Sequence, residues 1–424
     1  MKNMKHILFI IVLVFSVLLC QQIIELSVVN QDRKQDYAEI SNIKYGLFSI
    51  NQWKTQLSDI ISDEISDLDL KGNEKKLRPL IEAQLNELID GVNKKIQEKN
   101  KETFKGKLKQ AFINTFVDIK DIKEGIPQYA TEIMKLMEKP KSKRKLRSLL
   151  IDKVEEYFYK TFENQDYSPI TAIIQKTGSK DMAEARLKLE QDIEKAQRHI
   201  FILTWTLISF SVLLFLIAGL SKEVLPSNQY IILVLMLFLL LLSGVTTPMI
   251  DLEAKISEMS FVLMDHPVQF LNQILYFQTK SVLDVFWIMI THSDIQMKIV
   301  GILMVAFSVV FPILKLTSSV GYYYNYARDS QWVQFFVLKS GKWSMTDVMI
   351  IAIFMAYIGF NGIISSQFGK LHSAGEEIVL LTTNGTSLQP GFYLFLAYAL
   401  LALFLSEFLT QKINKELSPT KQNL

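Results

Sequence analysis

Six stretches of this chain are long and apolar enough to cross a membrane, and no other feature limits its fold as tightly. Crossing about 30 Å of hydrocarbon at ~1.5 Å per residue takes roughly 20 mostly apolar residues. Within lipid the backbone N–H and C=O groups must satisfy one another inside the segment, so each stretch is expected to be a helix. The six run from Ile7 to Val29, Ile200 to Leu220, Tyr230 to Thr247, Ile295 to Leu316, Val348 to Ser365 and Gly391 to Leu409. The expected fold is therefore all-α: a polytopic helical membrane protein with six transmembrane helices and an extracytoplasmic helical bundle.

The bundle follows from where the charges lie. Hydrophobic residues make up 49% of the 424 and charged ones 21%, a mixture typical of neither a soluble domain nor a bare membrane bundle. Residues 31–198 hold 32 of the 46 Lys+Arg and 29 of the 43 Asp+Glu. A water-soluble block thus interrupts a membrane protein. Its signs are mixed, so it does not read as a nucleic-acid surface, and no nucleic-acid partner is expected. The densest basic run, Lys139 to Arg147, reads as a solvated helix start or loop.

Within the block, Leu77, Leu80, Ile81, Leu85, Leu88, Ile89, Val92 and Ile96 recur at three- and four-residue steps, as on one face of a helix. Residues 144–162 repeat the pattern. Asp166-Tyr167-Ser168-Pro169 is a turn signal, and the helix from Asp181 to Arg198 is expected to run straight into the second span. The organisation expected is an anchor at 1–29, the extracytoplasmic helical domain at 30–198, a second transmembrane helix at 199–222, a four-span module at 223–412 and a tail at 413–424.

Lys and Arg in short flanks set the orientation. With the N-terminus inside, the inside segments carry Lys222, Arg328, Lys339, Lys342, Lys412, Lys415 and Lys421, while outside loops carry acids such as Asp251, Asp284 and Glu376. Both termini are then cytoplasmic. The first apolar run also fits a cleaved signal peptide, but no small-residue cleavage site follows it, which favours an uncleaved anchor. Its Cys20 is the one cysteine, which excludes an internal disulfide and a CxxC zinc site. No phosphate loop, GxSxG elbow or HExxH is present, so no enzyme, metal or cofactor is expected. His266, His292 and His372 fall in separate outside loops without ligand spacing.

Two motifs stand out in the membrane half. Ala306 to Leu316 ends the fourth span with Phe311-Pro312-Ile313-Leu314-Lys315. Pro312 lacks a backbone donor and can kink the helix; Lys315 can snorkel to the interface and complement the helix end. Gly341-Lys342-Trp343-Ser344-Met345-Thr346-Asp347-Val348 opens the fifth span. Ser344 suits an N-cap with Asp347 three residues on, Trp343 suits an interface, and Lys342 obeys the positive-inside bias. Lys315 and Asp347 are candidates for a pair across adjacent spans.

With Pro248 ending the third span, the segment Ile274 to Val282 before the fourth, and Gly391-Phe392-Tyr393-Leu394-Phe395 opening the last, these motifs resemble the paraquat-inducible protein A family of bacterial inner-membrane proteins over about 230–412. The resemblance implies a subunit in envelope lipid trafficking, with membrane lipids and a mammalian-cell-entry domain protein as partners. It carries Pro312, Lys315, Gly341, Lys342, Trp343, Ser344 and Asp347 as the residues of interest. Many members have two four-span modules and cysteine-rich zinc segments; this chain has one module and lacks those cysteines. Two other readings remain: a membrane sensor, which would need an output partner because the inside loops are short, and an ion-coupled transporter, which few mid-span charges support.

Overall fold

The computed structural model describes residues 2–46, 166–220, 225–263, 266–326, 328, 330–339, 346–368 and 378–417, and only pieces of 49–165, chiefly 78–87 and 123–137. The apolar helix α1 covers Lys2–Ile40 without a break. At ~1.5 Å per residue it is almost twice as long as the ~30 Å of hydrocarbon is thick, so it crosses and continues into water. Phe9, Val12, Ser16, Cys20, Ile23, Ser27, Asn30 and Lys34 are buried along it. These three- and four-residue steps carry one buried face across the membrane boundary.

In the block, α2 covers Ile126–Met137 and α3 covers Ser168–Thr177 with Pro169 in its first turn. Residues 78–87 are helical, while most of the expected faces at 77–96 and 144–162 lie outside the described residues. The helix α4, Met182–Gly219, starts where Asp181 accepts the Glu184 N–H at 2.8 Å and continues into the second span, as expected. Above the membrane, Ile40, Tyr45, Ile170, Ile173, Ala185 and Leu189 close a small core that joins α1, α3 and α4. Lys176 on α3 also reaches Asp32 and Asp36 on α1, at 2.5 and 2.6 Å.

The span α5, Ser227–Thr246, is the most buried, with Tyr230, Leu233, Met236, Leu237 and Leu240 fully enclosed. The last helix, α11, covers Pro390–Leu417 and lies against it. A Cβ at Gly244 would come 3.0 Å from the backbone nitrogen of Phe395, a close approach of the kind small residues permit between membrane helices.

Between these spans the chain makes a sheet that hydropathy did not announce, so the all-α expectation holds only as mostly helical. Strands β1 (Ile250–Leu263) and β2 (His266–Lys280) form a long antiparallel hairpin, β3 (Ile378–Asn384) pairs with the other edge of β1, and β4 (Ser387–Leu388) pairs with its start. The reason is visible in β1: Ile250, Leu252, Ala254 and Ile256 alternate with Asp251, Glu253, Lys255 and Ser257. The alternation ends at the Ile256/Glu258 register shift, and β2, with a positive φ of 52° at Asn272, shows none that is sustained.

After β2 come α6 (Val282–Thr291), too short to cross, and α7 (Ile295–Val305). A π-helical turn at Ala306–Val310 leads into α8 (Phe311–Tyr323). The short α9 (Gln331–Gln334) runs into a second π turn at Phe335–Lys339, and α10 covers Thr346–Phe368. Five helices among the described residues are long and apolar enough to span: Lys5–Ile40, Met182–Gly219, Ser227–Thr246, Ile295–Tyr323 and Pro390–Lys412. The sixth span, expected at Val348 to Ser365, falls within the helix α10, whose side chains are described over Thr346–Phe360 and are apolar there.

Candidate functional site

The best-connected polar site lies where the sheet meets the membrane helices. Lys34 is carried there by the buried face of α1. Its Nζ donates to Asp251 Oδ2 at 2.5 Å and to Gln389 Oε1 at 3.1 Å. All three residues are buried. Asp251 sits at the start of β1, and Gln389 sits between β4 and α11, so one ammonium ties three distant segments together. An ion pair this enclosed contributes little beyond its desolvation cost, but removing one partner strands the other charge in the interior.

One turn earlier on α1, Gln31 Nε2 donates to the Thr279 carbonyl at 3.2 Å and to Asp284 Oδ2 at 2.9 Å. Asp284 also closes a capping box at the start of α6: its carboxylate accepts the Ser281 N–H at 2.9 Å, and its own N–H donates to Ser281 Oγ at 3.1 Å. Burial works to raise the Asp284 carboxyl, but the Ser281 N–H and the Gln31 amide outweigh it, and the carboxyl is held below its ordinary range. Asp251 and Thr279 face each other across the hairpin, and Asp251 Oδ1, Thr279 Oγ1 and Asn30 Oδ1 have no hydrogen-bond partner among the described residues.

The backbone of the same junction explains two of the scattered motif residues. Gly391 N–H donates to the Pro248 carbonyl at 2.9 Å, and Gln389 N–H donates to the Met249 carbonyl at 2.9 Å. A Cβ on Gly391 would stand 2.4 Å from the Thr247 oxygen and 2.7 Å from that of Pro248. The proline that ends α5 and the glycine that opens α11 are therefore in contact. Met249 N–H completes the junction by donating to the Lys280 carbonyl at 3.1 Å.

A second cluster closes the opposite end of the bundle. The Tyr230 and Tyr323 rings stack 3.8 Å apart, Tyr323 donates its hydroxyl to the Leu225 carbonyl at 2.6 Å, and Lys412 Nζ lies 3.9 Å from the Tyr323 ring centre and donates to the Tyr323 carbonyl. Arg328 covers Tyr322 at 5.3 Å. Segments expected on one side of the membrane, including the loop before α5, Arg328 and Lys412, thus meet at one end. Those expected on the other side, 30–198, 249–294 and 366–390, contribute Lys34, Asp251 and Gln389 to the junction at the other end.

Of the residues singled out from sequence, Pro312 is buried in the first turn of α8. It follows the π turn, where the Phe311 N–H reaches back to the Ala306 carbonyl. The wider turn accommodates a residue that has no donor of its own. Ser308, in that turn, donates to Met349 Sδ of α10 at 3.3 Å. Lys315 is partly buried one turn further on, and Asp347 is exposed at the start of α10; the two do not form an ion pair. The pairing expected of them is therefore corrected. Lys315 is partly buried on α8, whereas Asp347 is exposed. Gly341, Lys342, Trp343 and Ser344 lie outside the described residues. Among the described residues, no three His, Cys, Asp or Glu gather as metal ligands.

Long apolar helices joined by an antiparallel sheet, with a polar junction between them, define a multi-pass membrane protein. Residues 266–383 match the family model Paraquat-inducible protein A, the same family that the motifs resemble. The match takes in β2, α6 to α10 and most of β3, including both Pro312–Lys315 and the 341–348 motif. It is narrower than the resemblance, since Pro248 and Gly391 lie outside it. No curated protein and no solved structure is found to match the chain.

Sequence reasoning missed Lys34, Gln31 and Gln389. Lys34 was one basic residue among many in a charged block, and Asp251 counted only as an outside acid. The available signal was helical phase: Lys34 continues the stripe of Ile23, Ser27 and Asn30.

Proposed function

We propose that the protein is a non-enzymatic subunit of the bacterial inner membrane, with both termini cytoplasmic, that takes part in envelope lipid transport together with a periplasm-spanning mammalian-cell-entry domain protein. The observation that carries this reading is the paraquat-inducible protein A match over 266–383. The polar junction supports it mechanically. The extracytoplasmic block and the matched segment share the bonds from Gln31 to Thr279 and Asp284, and the Lys34–Asp251–Gln389 bonds lie beside them, so a partner that grips the block pulls on the base of the hairpin. The spans supply the lipid-facing surface, and Pro312 and Lys315 shape the helix that packs beside α10.

Deletion of the gene tests the proposal. The expected outcome is altered envelope lipid composition and sensitivity to detergents, restored by the full chain. A deletion strain with unchanged lipids and an intact permeability barrier contradicts it.

A further inference from the structure

The helices α6 and α7 form an antiparallel hairpin around the short turn at residues 292–294, and a Cβ on Gly301 of α7 would come 2.8 Å from the Met289 side chain of α6. The foot of this hairpin is fixed at the sheet-side end of α5, where Met249, just past that helix, donates to the Lys280 carbonyl and Ser281 caps α6. Its direction follows from the chain. The helix α8 runs to the far end of the bundle, where Tyr323 stacks on Tyr230 in the first turn of α5. Because α7 passes into α8 through the π turn, it runs the same way, while α6 runs away from that end. From Tyr230 to Thr246 is ~24 Å along α5, and from Tyr323 back to Ala306 is ~26 Å. The π turn thus stands level with the end of α5, and the 11 residues of α7 belong beyond it.

Beyond the spans, an exposed surface should be polar, but this one is not. Trp287 and Ile295 are 67% and 70% exposed, and Ile288, Val300, Ile302 and Leu303 are exposed as well. Neighbours on a helix point about 100° apart, so Trp287 and Ile288 on α6, and Ile302 and Leu303 on α7, open more than one side of each helix. A helix that is apolar on several sides belongs in a protein core or in lipid. A protein partner docked on one face would leave the other apolar sides in water, whereas acyl chains cover them all. At 10 residues, α6 extends ~15 Å and cannot cross the bilayer, so any lipid contact of the hairpin stays within one leaflet.

We propose that the α6–α7 hairpin lies over in the sheet-side leaflet, as a shallow insertion at the boundary between headgroups and acyl chains. The π turn and Pro312 sit where the hairpin leaves the bundle and supply the bend that lays it there. Trp287 suits that boundary, Lys298 can keep its ammonium among the headgroups, and His292 and Asp294 keep the turn polar. An insertion into one leaflet only crowds that leaflet beside the bundle. Under the lipid-handling reading this is the place where lipid packing is loosened for exchange. The placement itself rests on the spans and not on that reading, so the two fail separately.

The test is depth measurement by electron paramagnetic resonance on the full chain in vesicles of phosphatidylethanolamine and phosphatidylglycerol. Nitroxide labels are placed at Ile288→Cys and Val300→Cys in a Cys20→Ala background. Gln269→Cys on β2 serves as the water reference and Leu403→Cys, exposed along α11, as the acyl-chain reference. Collisions with oxygen report acyl chains, and collisions with a nickel chelate report water. The oxygen-to-nickel ratio at both hairpin labels is expected to be several-fold above that of Gln269→Cys and below that of Leu403→Cys. Ile302→Cys replaces either label that lowers the thermal unfolding midpoint. Hairpin labels as open to the nickel chelate as Gln269→Cys would place the hairpin in water and overturn the proposal. Labels shielded from both reagents would place it under protein, a second copy or a partner, and would overturn it equally. Either result in a chain that still restores the envelope of a deletion strain would leave the broader function standing.

Discussion

At the residue scale, one buried ammonium sets the register between α1 and the sheet. Lys34→Met leaves Asp251 charged and buried with Gln389 as its neighbour, and is expected to destabilise the chain by about 3–5 kcal/mol. The double change Lys34→Met with Asp251→Leu is expected to recover most of that loss, because it removes the stranded charge. Thermal unfolding of the unaltered chain and the two variants in detergent decides. If the single and double variants melt together, the pair does not hold the junction.

Asp284 gives the junction an acid limit. Its carboxyl is lowered in the folded chain, so the stability it contributes is present above its ordinary pKa of about 3.9 and is lost as pH falls through the lower folded value. Between pH 5 and more acid conditions, the melting temperature of the unaltered chain should therefore fall more steeply than that of Asp284→Asn. The types of both residues could be read in sequence, but their partnerships could not. Gln31 and Lys34 lie more than two hundred residues from Asp284 and Asp251, and nothing local marks one lysine in a charged block as the buried one.

At the element scale, α5, the start of β1 and α11 are held by contacts between main chains rather than by side-chain packing alone. Gly391→Ala forces a methyl into the space of the Thr247 and Pro248 carbonyls and should cost about 1–3 kcal/mol, the usual range for overpacking. The same change should weaken hydrogen-exchange protection at Gln389 and Gly391. Unaltered protection would mean that this junction is looser than its distances indicate.

Apolar length alone located α1, α4, α5, the α7–α8 segment and α11, because a membrane span needs nothing but apolar length and a satisfied backbone. The continuous passage of α4 from water into the membrane was also legible, from Asp181 to the second span. The sheet was hard to read because the alternation in β1 covers only Ile250–Ser257, ending at the Ile256/Glu258 register shift, and β2 shows no sustained alternation. The π turns were invisible for another reason. Pro312 announces a disturbed helix, but the bonds beside it, from Phe311 N–H to the Ala306 carbonyl and from Ser308 to Met349 on α10, decide what form the disturbance takes.

At the scale of the whole molecule, the two ends of the bundle are closed by different chemistry. The sheet end uses a buried ion pair and backbone exchange. The other end uses stacked tyrosines under Lys412, with Arg328 over the neighbouring Tyr322. This grouping of segments predicts the outcome of cysteine labelling in a Cys20→Ala background. Gln269→Cys, on β2, should react with an impermeant maleimide in intact spheroplasts, and Tyr326→Cys, beyond α8, only after lysis. The reverse pattern would invert the topology; equal labelling would break the grouping.

The helix that leads into the charged block is joined at the polar junction to the segment that matches paraquat-inducible protein A, and the proposed function makes that junction the point on which a partner acts. The most direct test is capture of the tagged full chain from its native membranes in mild detergent, with the co-purifying proteins identified. A mammalian-cell-entry domain protein is predicted to co-purify, and to be lost when Lys34→Met and Gln31→Ala uncouple the block from the hairpin. Recovery of the well-folded chain with no such protein, from membranes that contain one, would contradict the account.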